Sequence, residues 1–189
     1  MKPVETGDGD DAMFLRKAAG DRHPLEIVRP YVFPDPVAPL VAARRMRARI
    51  DIETIHRNFD TLASDSDVVL VEGAGGLLVP YTESHSCATL FRELDLDVIV
   101  VAANKLGVVN HARLTVECAQ AHGLRIRAVV LNTISNDRSD PSQRTNEALL
   151  KELLVSIPVV KFPQTSTPRD FLQLAALARD LSTSTLRRS

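Results

Sequence analysis

The sequence predicts an α/β fold, a mostly parallel sheet with flanking helices. Two observations carry this. Short β-branched runs alternate with longer segments of helical spacing, the pattern of parallel strands joined by crossover helices. The run Val68-Val69-Leu70-Val71 is followed by Glu72 and then by Gly73-Ala74-Gly75-Gly76. This reads as a buried parallel strand that presents an acid and a glycine-rich turn at its C-terminal end, where open α/β sheets bind ligands.

Each element follows from local signals. Residues 1–4 form the stub of a strand. Asp10 or Asp11 caps a helix running to Gly20. Residues 29–39 hold four prolines and show no period, so a loop is expected there. Residues 52–63 have helical spacing and stop at Ser64-Asp65-Ser66. Strands are expected over 68–71, 98–102 and 126–131, with a weaker one over 157–160. Residues 111–122 form a helix closed by Gly123. Asp140-Pro141 supplies an N-cap and an N1 proline for a helix through Leu154, and Thr167-Pro168 does the same for a last helix. The expected organisation is one domain over residues 1–181 and a frayed Ser/Thr/Arg-rich tail over 182–189.

Composition excludes several classes. A chain of 189 residues with 44% hydrophobic and 25% charged residues suits one soluble domain with a full core. A formal net charge of -1 gives no reason to expect a nucleic-acid or anionic-membrane partner. Two cysteines, Cys87 and Cys118, make neither a disulfide framework nor a zinc site by themselves. No apolar stretch approaches membrane-spanning length, and the N-terminus lacks a signal-peptide core. A cytoplasmic protein is expected.

Five groups bear chemistry. Glu72, with Gly73, Gly75 and Gly76 beside it, either holds Mg²⁺ at a site approached by phosphate or caps a helix after a tight turn. Lys2 and Thr6 offer a point charge and a hydroxyl to an anionic ligand, although a terminal lysine is more often solvated. Asp8, Asp10 and Asp11 read locally as an N-cap with favourable dipole placement. In the segment 104–111, Gly107 and Asn110 precede a helix whose first N–H groups can hold a carboxylate or phosphate, and Asn110 is equally an N-cap. Asn132, after the strand ending at Leu131, either reads a base edge or forms a turn with Thr133.

The order and spacing of these pieces resemble dethiobiotin synthase, the ATP-dependent enzyme that closes the ureido ring in biotin synthesis. The matching stretches are KPVETG (2–7), Asp11-Ala12, PYVFPDPVAP (30–39), VLVEGAGGLLVP (69–80), NKLGVVNHARLT (104–115) and VVLN (129–132). VEGAGG alone is shared with amidoligases of cobyrinate-type chemistry. The KPV and NHA-x-LT segments are more specific. The resemblance implies a P-loop NTPase-like fold and a set of roles. Lys2 would be the catalytic lysine on the substrate carbamate and transferred phosphate, with Thr6 at the same substrate. Asp11 and Glu72 would bind Mg²⁺ and, with Gly75, Asn132 and Pro163, the nucleotide ATP. Gly107 and Asn110 would meet the carboxylate tail of 7,8-diaminopelargonate bound to the other subunit, which implies a homodimer.

The family also has a strand and a P-loop ahead of its KPV strand. The five lysines of this sequence are Lys2, Lys17, Lys105, Lys151 and Lys161, none follows a glycine, and no Gly-Lys-Ser/Thr is present. The expectation is therefore an N-terminally truncated version, with first strand and P-loop missing, poor ATP binding and little synthase activity. The alternatives are an inactive fragment, a dimerisation or regulatory homologue, and another amidoligase of the cobyrinate type.

Overall fold

The computed structural model describes residues 1–134, 140–162 and 164. It is a mixed α/β structure with parallel sheets and flanking helices, as expected. The chain divides into two compact units, Met1–Leu94 and Asp95–Ser189. The expected last helix, the tail and Pro163 lie outside the described residues.

The first unit pairs β1 (Val4–Thr6) with β2 (Tyr31–Phe33) in parallel, Val4 opposite Tyr31. Strand β2 lies inside the proline-rich segment expected to be loop. Its three residues are too few for a readable period, and among the described residues its ladder partner is β1. Helix α1 (Asp11–Ala18) starts where the acidic cluster predicted, but Asp10 makes no side-chain cap bond. Helices α2 (Leu25–Val28) and α3 (Pro39–Arg45) follow, neither anticipated. Helix α4 (Ile52–Ser64) is the expected one, and the Asp51 carboxylate accepts the Glu53 and Thr54 backbone N–H groups. Ile55 and Leu62 point into the core. Helix α5 (Cys87–Glu93) opens on a capping box between Ser86 and Thr89.

Residues 68–71 depart from expectation. They form no strand, and Leu70 is 70% exposed. Among the described residues their one ladder rung comes from Met1, whose nitrogen donates to Leu70 O at 2.6 Å and whose carbonyl accepts from Glu72 N at 2.9 Å. An apolar run becomes a buried strand only when neighbours pair along its length, and one rung does not suffice.

The second unit is a three-stranded parallel sheet in the order β3-β4-β5, formed by β3 (Asp97–Ala103), β4 (Arg125–Asn132) and β5 (Val159–Phe162). Ala128 to Leu131 in the central strand are all buried, as an apolar strand between two neighbours should be. At the edge, β3 alternates: Val98 and Val100 are buried, while Ile99 and Val101 are exposed. Helix α6 (Val108–Ala121) packs Val108, Ala112, Val116 and Ala119 inward. Its N-cap is Gly107 at φ +91°, so Asn110 is the third helical residue and not the cap. Helix α7 (Ser142–Leu153) is held at its start by Asp140, whose carboxylate accepts Ser142 N–H at 2.9 Å and Leu106 N–H at 3.1 Å.

Candidate functional site

Lys2 lies just ahead of β1 and is fixed by its backbone N–H, which donates to Val28 O at 2.8 Å. Its ammonium donates to Glu72 Oε1 at 2.6 Å, to Asp11 Oδ2 at 3.0 Å and to the Gly73 carbonyl at 3.3 Å. Lys2 is only 6% exposed, whereas both carboxylates are about half exposed. Burial works against its charged form, but hydrogen bonds and charge from Glu72 and Asp11 outweigh this and hold its pKa above the ordinary lysine value. Asp11 was ambiguous in sequence between helix cap and ligand. The structure places its carboxylate at Lys2.

Two buried groups brace this cluster, and neither was found in the sequence. The first is Glu5 of β1, 1% exposed, which pairs with Arg29 and accepts the Ala12 backbone N–H at 3.3 Å. Its carboxylate thus does from the strand what Asp10 does not do from the helix end: it satisfies an orphan donor of α1, next to Asp11. The second is Tyr81, also 1% exposed, whose hydroxyl accepts the Ala74 N–H at 3.0 Å and ties down the turn after Glu72. Burial raises the Tyr81 pKa far above the phenolic range and pushes the neighbouring Cys87 thiol up to about 11, so both stay neutral. Gly73 is required here, since a Cβ would stand 2.6 Å from Cys87 Sγ. Gly75 turns the chain at φ +77°, and its Cβ would meet Val79 at 3.0 Å.

Thr6 ends β1, half-buried, and is followed by Gly7 at φ +86°, whose Cβ would press on Pro36 at 3.1 Å. Asp8, Asp10 and Asp11 are all exposed, and of this acidic cluster it is Asp11 whose carboxylate meets Lys2.

The remaining candidates belong to the second unit. Gly107 and Asn110 are exposed at the start of α6. Asn132 ends β4, opposite Ala103 of β3 and Phe162 of β5, and its carbonyl accepts Asn104 N–H at 2.8 Å. Asn104 is buried, and its side-chain carbonyl accepts from Asn146 Nδ2 at 2.9 Å while Asn146 also donates to Lys105 O at 3.3 Å. This amide pair fixes the 104–107 loop. The structure thus gathers Lys2, Asp11 and Glu72 in one unit and places Gly107, Asn110 and Asn132 in the other.

Among the described residues no three His, Cys, Asp or Glu side chains gather as a metal cage. The donor set at Lys2 is two carboxylates and a main-chain carbonyl. Mg²⁺ is commonly held by one or two carboxylates together with water and substrate phosphates, so these oxygens fit Mg²⁺ better than a metal that needs a full protein cage.

A family described as an AAA domain matches residues 1–164 of the chain. An ATP-dependent dethiobiotin synthetase BioD of Anaeromyxobacter sp. (strain Fw109-5) is 41% identical over 165 residues, covering 85% of this chain and 74% of the relative. The protein of the same name from Anaeromyxobacter dehalogenans (strain 2CP-C) is 40% identical over 167 residues, covering 86% and 74%. That of Thermodesulfovibrio yellowstonii (strain ATCC 51303 / DSM 11347 / YP87) is 35% identical over 173 residues, covering 84% and 72%.

Proposed function

The chain belongs to the dethiobiotin synthetase family, and from that premise we propose that its Lys2–Asp11–Glu72 cluster serves the ATP- and Mg²⁺-dependent closure of the ureido ring on 7,8-diaminopelargonate and CO2. The observation that carries the reading is the contact of one buried ammonium with two half-exposed carboxylates beside a glycine-rich turn. In this reaction one amine takes up CO2 as a carbamate. The γ-phosphoryl group of ATP passes to a carbamate oxygen, releasing ADP, and the second amine displaces phosphate from the mixed anhydride.

Such chemistry asks for positioning and charge neutralisation more than for covalent help. Lys2 would neutralise the carbamate and the phosphoryl group in transfer, and the Thr6 hydroxyl would orient the same substrate. Asp11 and Glu72 would hold Mg²⁺, which when bound screens phosphate charge. Gly75 lets the nucleotide approach the main chain, and Asn132 and Pro163 would contact the adenine side. Gly107 and Asn110 would take the substrate's carboxylate tail across a homodimer in the cytoplasm. The phosphate nest is a separate matter. These 189 residues contain no Gly-Lys-Ser/Thr, so they do not themselves supply that loop.

Carbamate binding tests the reading without requiring turnover. With ¹³C-bicarbonate and 7,8-diaminopelargonate, the carbamate resonance should shift and broaden when the protein is added, and Lys2→Met should abolish the effect. Binding of a cobyrinate carboxylate in its place would favour the amidoligase alternative. In a full assay with Mg·ATP the 189-residue polypeptide should form dethiobiotin near background. Robust formation would contradict that expectation.

A further inference from the structure

We propose that the Lys2 ammonium stands where a bound cation would stand, so that Asp11 and Glu72 take up a divalent cation only together with an anionic ligand that draws Lys2 away. This rests on the reading of Asp11 and Glu72 as cation ligands and adds a rule for how that site fills.

The three protons of a lysine ammonium are its whole donor capacity. In Lys2 all three are spoken for, by Glu72 at 2.6 Å, Asp11 at 3.0 Å and Gly73 O at 3.3 Å. The three oxygens come from two segments, Asp11 of α1 and the adjacent residues Glu72 and Gly73, and converge on one nitrogen. The bracing by Glu5 and Tyr81 keeps them converged. A divalent cation entering alone would place its two charges against a nearly buried ammonium held between the same oxygens, which repels it strongly. An anion entering alone would find no free N–H on Lys2. Each ligand by itself must break the cluster. Together they need not: the cation takes the carboxylates, and the released ammonium, on its long flexible stem, turns to the anion. The two ligands then bind with positive coupling, and the coupling is reciprocal.

The test is a Mn²⁺ titration followed by electron paramagnetic resonance, on the full chain and on Lys2→Met, with methylphosphonate as the anionic probe at constant ionic strength. Without the probe, Lys2→Met should bind Mn²⁺ about tenfold or more tightly than the unaltered protein. Methylphosphonate should tighten Mn²⁺ binding several-fold in the unaltered protein and not in Lys2→Met. Lys2→Gln keeps a donor for Gly73 O and repeats the comparison, with thermal melting confirming that each variant is folded. Mn²⁺ binding that is equal in the unaltered protein and both variants overturns the inference and leaves the cation reading standing. An absence of Mn²⁺ binding from all three proteins, with and without the probe, overturns the cation reading and this inference with it.

Discussion

Residues 68–72 and strand β4 are two versions of one sequence pattern, an apolar run ending in a polar side chain, Glu72 in one and Asn132 in the other. Their structures differ. Strand β4 runs between β3 and β5, and its apolar residues from 128 to 131 are buried. Among the described residues the 68–71 segment has a single rung, from Met1, and Val68 and Leu70 are exposed. Asn132 is thus positioned by a sheet, through backbone. Glu72 has one backbone bond, to Met1 O, and is otherwise positioned by side chains, through Lys2 on its carboxylate and Tyr81 on the following turn. A candidate binding residue can be fixed either way, but the second way concentrates the dependence on a few named groups.

Large-to-small substitution should show the contrast most strongly. Leu131→Ala, in a fully buried position of β4, should destabilise by about 2–5 kcal/mol in urea denaturation, while Leu70→Ala should stay within about 0.5 kcal/mol. Equal losses would remove the distinction. Glu5→Ala should follow at about 3 kcal/mol, because it strands a mostly buried Arg29 and frees an α1 donor. Tyr81→Phe should lose about 1–2 kcal/mol by leaving the buried Ala74 N–H unpaired. It should also weaken Mn²⁺ binding, a readout that a purely structural role for the hydroxyl would not move.

The smallest effect concerns pH. Burial alone would raise the Asp97 carboxyl pKa, but hydrogen bonds from Arg125 and Arg127 outweigh it and hold the pKa below the usual aspartate value. Its stabilisation is therefore complete above the unfolded-state pKa of about 4 and is lost as pH falls through the lower folded-state value. Asp97→Asn should flatten the acid limb of the stability profile by about 1 kcal/mol or less, since Arg125 is well exposed. An unchanged acid limb would show that the β3–β4 charge pairs contribute nothing.

The parts legible in the sequence were those whose signals are local. Residues 98–102 and 126–131 fall in strands and 157–160 only in part, since β5 runs over Val159–Phe162. The helix near Ile52 could be read from its spacing and the one near Asp140 from its end signals, whereas the cap expected at Asp10 or Asp11 makes no side-chain bond. Residues 68–71 carry the same apolar signal, but a strand also needs partners, and a single segment does not encode them. Asp11 could not be told from a helix cap because Lys2 is nine residues away and Glu72 far beyond it. Glu5 and Tyr81 escaped notice for the same reason. Glu5 sits in a three-residue strand and depends on Arg29, and Tyr81 acts through a main-chain N–H that no side-chain pattern reveals.

The proposed cation role separates Glu72, held largely by side chains, from Asn132, held by the sheet. A Mn²⁺ titration of Glu72→Gln beside Asn132→Ala, with methylphosphonate present, tests this most directly. Glu72→Gln should weaken Mn²⁺ binding at least about tenfold, the loss of one charged ligand, and Asn132→Ala should leave it unchanged. Undiminished Mn²⁺ affinity in folded Glu72→Gln would contradict the account.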